Sequence, residues 1–210
     1  MSSQLITLPG GRRLAYAESG DAQGTAVIFF HGGPGSTLPM QPDEGAIAAS
    51  LGIRLITVER PGYGGSDPHP GRRLLDWPSD VRALVDHLGI ARFSLIGFSA
   101  GSPYALACAA RLAERLNRVV IVGGSGPMYR PDVRRLTGCV WRILFFLSAF
   151  APGVIRFGEL DERAEAMVKA TPAGRHGTAA EIAEAVLYFL KCSNFTTGQN
   201  MAIDGGLALR

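Results

Sequence analysis

The chain has 210 residues, 47% hydrophobic and 19% charged, which is enough for one sizeable core and too apolar for a disordered polymer. Its formal charge is only +3, with basic residues lying singly or in pairs such as Arg12-Arg13, Arg72-Arg73 and Arg134-Arg135. A nucleic-acid partner would call for a denser basic stripe interleaved with aromatic residues, so that class is set aside.

Three cysteines, Cys108, Cys139 and Cys192, are far apart and odd in number. They suit a reducing compartment better than a disulfide framework or a metal site. The start, "MSSQLITLPGGRR", lacks the charged and apolar regions of a signal peptide. The most apolar segment, "ILFFLSAFA" at 143–151, is too short to span a bilayer and reads as a buried or lid-type helix. A cytoplasmic protein without a membrane partner is expected.

In chain order, "QLITL" and "RRLAYAES" flank Pro9-Gly10-Gly11 and predict a β-hairpin. "AVIFF" (Ala26–Phe30) is a continuous apolar run, as in a strand covered on both faces, and it ends in the loop "HGGPGS". A helix over Asp43–Leu51 precedes a second buried strand, Ile53–Val58, which ends in "ERPGYGGSDP". Leu75–Leu88 places Val81, Leu84, Val85 and Leu88 on one helical face, with Gly89 closing the helix. "FSLIGF" is the third buried strand, a helix runs from Ser99 to about Arg115, and "RVVIVGG" is the fourth.

This alternation predicts an α/β fold with a mostly parallel sheet flanked by helices. Ligands of such sheets gather at the carboxyl ends of the strands, where "HGGPG", "ERPGYGGS", "GFSAG" and "GGSGP" all fall. From Met128 the pattern changes. A capping box at Thr178 and Glu181 then opens a helix with Ile182, Val186, Leu187 and Leu190 at helical spacing, and "QNMAIDGG" reads as a last strand. The tail is thus a short helix and strand.

Gly97-Phe98-Ser99-Ala100-Gly101 fits G-x-S-x-G in the strand-turn-helix context that the motif requires. A sharp elbow strains the serine backbone and exposes its hydroxyl, and a Cβ at either flanking glycine would collide with a neighbouring strand or helix. The following helix aims N–H groups at the site and favours a developing negative charge. In "HGGPG" (His31–Gly35) the glycines free backbone N–H groups, one of which can pair with that of Ala100 as an oxyanion hole. His31 reads as a brace for this loop and not as a base.

With these motifs in this order, residues from about Gln4 to Tyr129 resemble the first half of an α/β-hydrolase, in the style of proline iminopeptidases and haloperoxidases. The resemblance implies that Ser99 is the nucleophile and that Gly33 and Ala100 supply the oxyanion-hole N–H groups. Glu59 stands where relatives often carry Asp. The stretch from about Ala151 to Leu207 instead resembles the C-terminal tail of short-chain dehydrogenases/reductases, on "APGVI", "GRHG", "EIAEAVLYFL" and "TTGQNMAIDGG". Phe157 sits where that family often has threonine. The expected organisation is a truncated hydrolase-like core over 1–146 and a reductase-like tail over 147–210, joined somewhere within 146–160.

No T-G-x-x-x-G-x-G loop follows an N-terminal strand, and Tyr188 and Lys191 lie three apart on the tail helix, so no nicotinamide cofactor is expected. Ser99 needs a base. His69 and His87 precede it and suit solvated roles; His176, in the "GRHG" turn, is the candidate because hydrolases present their histidine in a similar loop before the last helix. Asp132, Asp161 and Asp204 carry no motif, and none is assigned as the acid. The first reading is a serine hydrolase of small esters or amides, impaired or inactive where His176 cannot reach Ser99. The alternative is an inactive chimera whose tail completes the sheet or mediates self-association into a homo-oligomer. An NAD(P)-dependent reductase comes third.

Overall fold

A computed structural model of the chain describes residues 3–33, 43–124, 172–173, 175 and 178–191. The chain divides into two compact units, Met1–Ser125 and Gly126–Arg210.

The first unit opens with the expected hairpin. Strands β1 (Gln4–Thr7) and β2 (Arg13–Gly20) are antiparallel, and Leu8 N–H donates to Arg12 O at 2.7 Å across the turn. Strand β3 (Thr25–Phe30) is followed by helix α1 (Glu44–Ser50) and β4 (Ile53–Val58). Helix α2 (Trp77–His87), β5 (Phe93–Phe98), α3 (Ser102–Arg111) and β6 (Leu116–Val122) complete the unit. They form a six-stranded sheet in the order β1-β2-β4-β3-β5-β6. Strands β4, β3, β5 and β6 run parallel, and β2 joins antiparallel to β4. The mostly parallel sheet read from the sequence is the one observed.

Apolar runs explain the placement of the central strands. Val27, Ile28 and Phe30 of β3, Ile56 and Val58 of β4, and Phe93 and Leu95 of β5 are all buried. They pack with Val81, Leu84 and Val85 of α2, the face that helical spacing predicts, and with Ala105 and Cys108 of α3. Trp77 links the layers, meeting Phe30 edge-on at 5.4 Å and Tyr104 at 5.8 Å. Gly89 ends α2 as the sequence suggests. Its φ is +64°, Gly89 N–H donates to Asp86 O, and Ile90 N–H reaches back to Val85 O at 2.8 Å, which satisfies the last carbonyls of the helix.

Register sets up the site. Phe30 lies opposite both Val58 and Gly97, and Gly97 lies opposite Ile121, so the chain leaves β3, β4, β5 and β6 at one level. The segments that follow, His31–Gly33, Glu59–Ser66, Ser99–Gly101 and Gly123-Gly124, therefore share the carboxyl edge.

In the second unit, helix α4 (Ala179–Lys191) begins at the predicted capping box. Thr178 N–H donates to Glu181 Oε2 at 2.7 Å, and Glu181 N–H donates to Thr178 Oγ1 at 3.2 Å. Arg175 adds a bidentate pair to Glu181, and with the Thr178 bonds it holds that carboxyl well below the usual carboxylate range. The apolar stretch at 143–151, Phe157 and the "QNMAIDGG" strand lie outside the described residues. Among the described residues, no helix is long and apolar enough to cross a membrane.

Cys108 is fully buried on the sheet side of α3, and burial pushes its thiol up to about 12. Iodoacetamide at pH 8 is expected to leave it unmodified in the folded chain and to alkylate it after denaturation. Peptide mapping checks this, and alkylation of native Cys108 would contradict the packing.

Candidate active site

At the end of β5 the backbone turns sharply. Ser99 has φ +48°, and among the described residues it is the one non-glycine with positive φ. That region disfavours a residue with a Cβ by about 1–2 kcal/mol, so the fold must impose it. A 3₁₀ turn over Ser99–Gly101 leads directly into α3, with Pro103 in its first turn. Both flanking glycines are required by close approach. A Cβ on Gly97 would lie 2.8 Å from Ala105 Cβ and 2.9 Å from Ser102 Cα, and one on Gly101 would overlap the Phe30 carbonyl oxygen. This is the elbow that the motif predicts.

The loop after β3 lies against the elbow. A Cβ built on Gly32 would sit 3.3 Å from Ser99 Cβ and 3.1 Å from the Phe98 ring; one on Gly33 would sit 3.4 Å from Ala100 Cβ. Gly33 and Ala100, the two candidate N–H donors, are therefore neighbours across the two loops. Phe98 remains 46% exposed beside Ser99 and offers an apolar wall there.

Arg60 is the residue that pattern reading passed over. It is only 3% exposed, yet its guanidinium spans both loops. Nη2 donates to Gly32 O at 2.9 Å, Nη1 donates to Ala100 O at 3.1 Å, and Nε donates to His31 Nε2 at 3.4 Å. The rings of Tyr63 and Tyr104 lie 4.7 and 5.0 Å from its central carbon. Burial pushes the guanidinium below its usual range, though arginine stays protonated at any pH the fold survives. One signal was available: a Glu-Arg pair directly after a buried strand is an unusual place for two charges. Its neighbour Glu59 is 1% exposed and accepts from Gly65 N–H, which folds the loop after β4.

His31 sits inside this web. Its ring is buried, and Nδ1 lies 2.7 Å from Gly32 O while Nε2 faces Arg60. The carbonyl assigns the proton to Nδ1, leaving Nε2 as acceptor. His31 braces the loop, as its position in the chain suggests. Burial and the Arg60 charge lower its pKa from the ordinary 6.5. Below about pH 6.5 the unfolded chain binds this proton and the folded chain resists it, so stability falls with pH through that value. Between pH 7.5 and 5.5 the urea midpoint of the wild type should drop further than that of His31→Gln. Equal drops would contradict a buried neutral imidazole.

Among the other candidates, His69 is half-buried and His87 is exposed at the end of α2, in keeping with solvated roles. His176, Asp132, Asp161 and Asp204 lie outside the described residues.

Two family models match the chain. The family model for the α/β hydrolase fold matches residues 25–141, and one for enoyl-(acyl carrier protein) reductase matches residues 149–208. Both resemblances read from the sequence are thereby borne out. The uncharacterized hydrolase YcgS of Bacillus subtilis is 32% identical over 120 residues, covering 56% of this chain and 40% of that one. A proline iminopeptidase of Xylella fastidiosa is 30% identical over 128 residues, 57% of this chain and 38% of its own length. The chain thus spans about two fifths of these curated relatives. An α/β hydrolase fold protein from Nakamurella multipartita aligns with a TM-score of 0.53 at 27% identity, over 89% of this chain and 62% of that one.

Proposed function

The chain belongs to the α/β hydrolase fold family, and from that premise we propose that it hydrolyses small acyl esters or amides through Ser99. The observation that carries this reading is the strained Ser99 held at the elbow against the Gly32-Gly33 loop. Ser99 Oγ attacks the acyl carbonyl carbon and gives its proton to a general base, the role for which His176 is the candidate from the sequence. The carbonyl oxygen becomes an oxyanion received by the N–H groups of Gly33 and Ala100. Collapse expels the alcohol or amine, which takes the proton from that base, and leaves an acyl-serine. Water then attacks the acyl-serine, losing its proton to the same base, which returns it to Ser99 Oγ as the free acid leaves. Exposed Phe98 favours an apolar group next to the scissile bond.

The test is a burst of p-nitrophenol from p-nitrophenyl acetate, approaching one equivalent per folded chain. Release no faster than in buffer from a cooperatively melting chain overturns the reading.

One observation favours a second reading. His176, the one histidine after Ser99 in this sequence, lies inside the stretch 149–208 that matches the reductase model. In that reading the tail is a structural or self-associating element and the elbow is idle. Absence of a burst together with an oligomer on size exclusion would select it.

A further inference from the structure

We propose that Arg60 is a positioning residue that sets the geometry of the oxyanion hole by clamping the Gly32 and Ala100 carbonyls on one guanidinium. The inference rests on the hydrolase reading of Ser99. It starts from the planarity of the peptide group. Gly32 C=O and Gly33 N–H belong to one trans amide, in which the two bonds point in opposite directions. With Gly32 O drawn onto Arg60 Nη2 at 2.9 Å, Gly33 N–H must point away from Arg60. Glycine at both 32 and 33 would otherwise let this peptide flip with little steric cost.

The second arm is held by the same group. Ala100 O accepts from Nη1 at 3.1 Å, which fixes the residue whose own N–H is the other candidate donor. Because the fork is planar and rigid, its two nitrogens set the spacing of the two loops. Tyr63 and Tyr104 flank the guanidinium, and His31 Nε2 accepts from Nε, so the clamp is itself immobilised. The residues it joins are 28 and 40 positions away in sequence. Lysine, a point charge on a flexible stem, cannot reproduce this fork.

An oxyanion hole built for oxygen discriminates against a thiono ester, whose developing charge sits on a larger and more weakly hydrogen-bonding sulfur. The ratio of kcat/KM for p-nitrophenyl acetate to that for its thiono analogue therefore reads hole geometry and does not depend on the folded fraction. In Arg60→Met and in Arg60→Lys that ratio is expected to shrink about tenfold, while kcat per titratable site falls about a hundredfold and KM stays within about twofold. Should Arg60→Met not fold, Arg60→Lys carries the same comparison. Full recovery of kcat and of the ratio in Arg60→Lys would overturn the fork argument, as would an unchanged ratio in either folded variant. A wild type that hydrolyses neither ester overturns the hydrolase reading, and this inference with it.

Discussion

Ser99→Ala is expected to abolish turnover of p-nitrophenyl acetate, lowering kcat by about a thousandfold or more and removing the burst. The chain should remain folded, because alanine at 99 occupies the same left-handed backbone and removes only a hydroxyl. Its stability is expected within about 0.5 kcal/mol of wild type. Ser99→Gly separates chemistry from strain. It loses the same activity, yet it relieves the φ of +48°, against which a more flexible unfolded chain works, so a net gain approaching about 1 kcal/mol is expected. An inactive variant that is more stable than the wild type is the signature of a residue held in strain for chemistry. Retained burst activity in Ser99→Ala would move the nucleophile elsewhere. A loss of stability in Ser99→Gly would show that the elbow is held by the serine side chain and not imposed on it.

The outline of the first unit was legible because its signals are local. Continuous apolar runs bounded by glycine-rich loops gave β3, β4 and β5, and helical spacing gave the buried face of α2. Boundaries were less legible. The helix after Ser99 was expected to run to about Arg115, but α3 stops at Arg111. Leu112 leaves the helix with φ −130° and is 1% exposed; burying it in the core outweighs the helical preference of the residues that follow, which make only a 3₁₀ turn over Ala113–Arg115. Likewise α2 begins at Trp77, two residues after the expected Leu75, because Leu74–Asp76 form a 3₁₀ turn and Pro78 suits a first helical turn.

At the candidate site, Ser99, Gly33 and Ala100 were legible as candidates through motifs whose glycines mark close approaches. Arg60 was not, since its partners come from the loops after other strands and no period or spacing in the sequence encodes them. The tail shows the same division. The capping box at Thr178 is local and was legible, whereas whether His176 serves Ser99 depends on long-range placement that local patterns do not carry.

Gly101→Ala is expected to destabilise the first unit by about 3 kcal/mol or more. The added methyl would overlap the Phe30 carbonyl oxygen and stand 2.8 Å from that of His31. Neither oxygen can yield easily. Phe30 is paired on both sides, to Val58 and to Gly97, and the residue after His31 is tied to Arg60 through Gly32 O. The elbow cannot retreat either, since Gly97 already touches α3 and Ser102 Oγ donates to Gly97 O at 3.2 Å. Relief therefore requires β3 and β5 to part at the level of the Gly32-Gly33 loop. Melting should fall by roughly 10 °C, and any molecules that stay folded should lose kcat because Gly33 and Ala100 have separated. Gly45→Ala in α1 is the matched control. A Cβ there meets only Ser19 Cβ at 3.5 Å and Gly20 N at 3.8 Å, ordinary contacts, and alanine favours the helix, so stability should hold or rise by a few tenths of a kcal/mol. Equal melting temperatures for the two variants would mean that the elbow does not pack against the end of β3, and the close approach that positions Ser99 would fall with it.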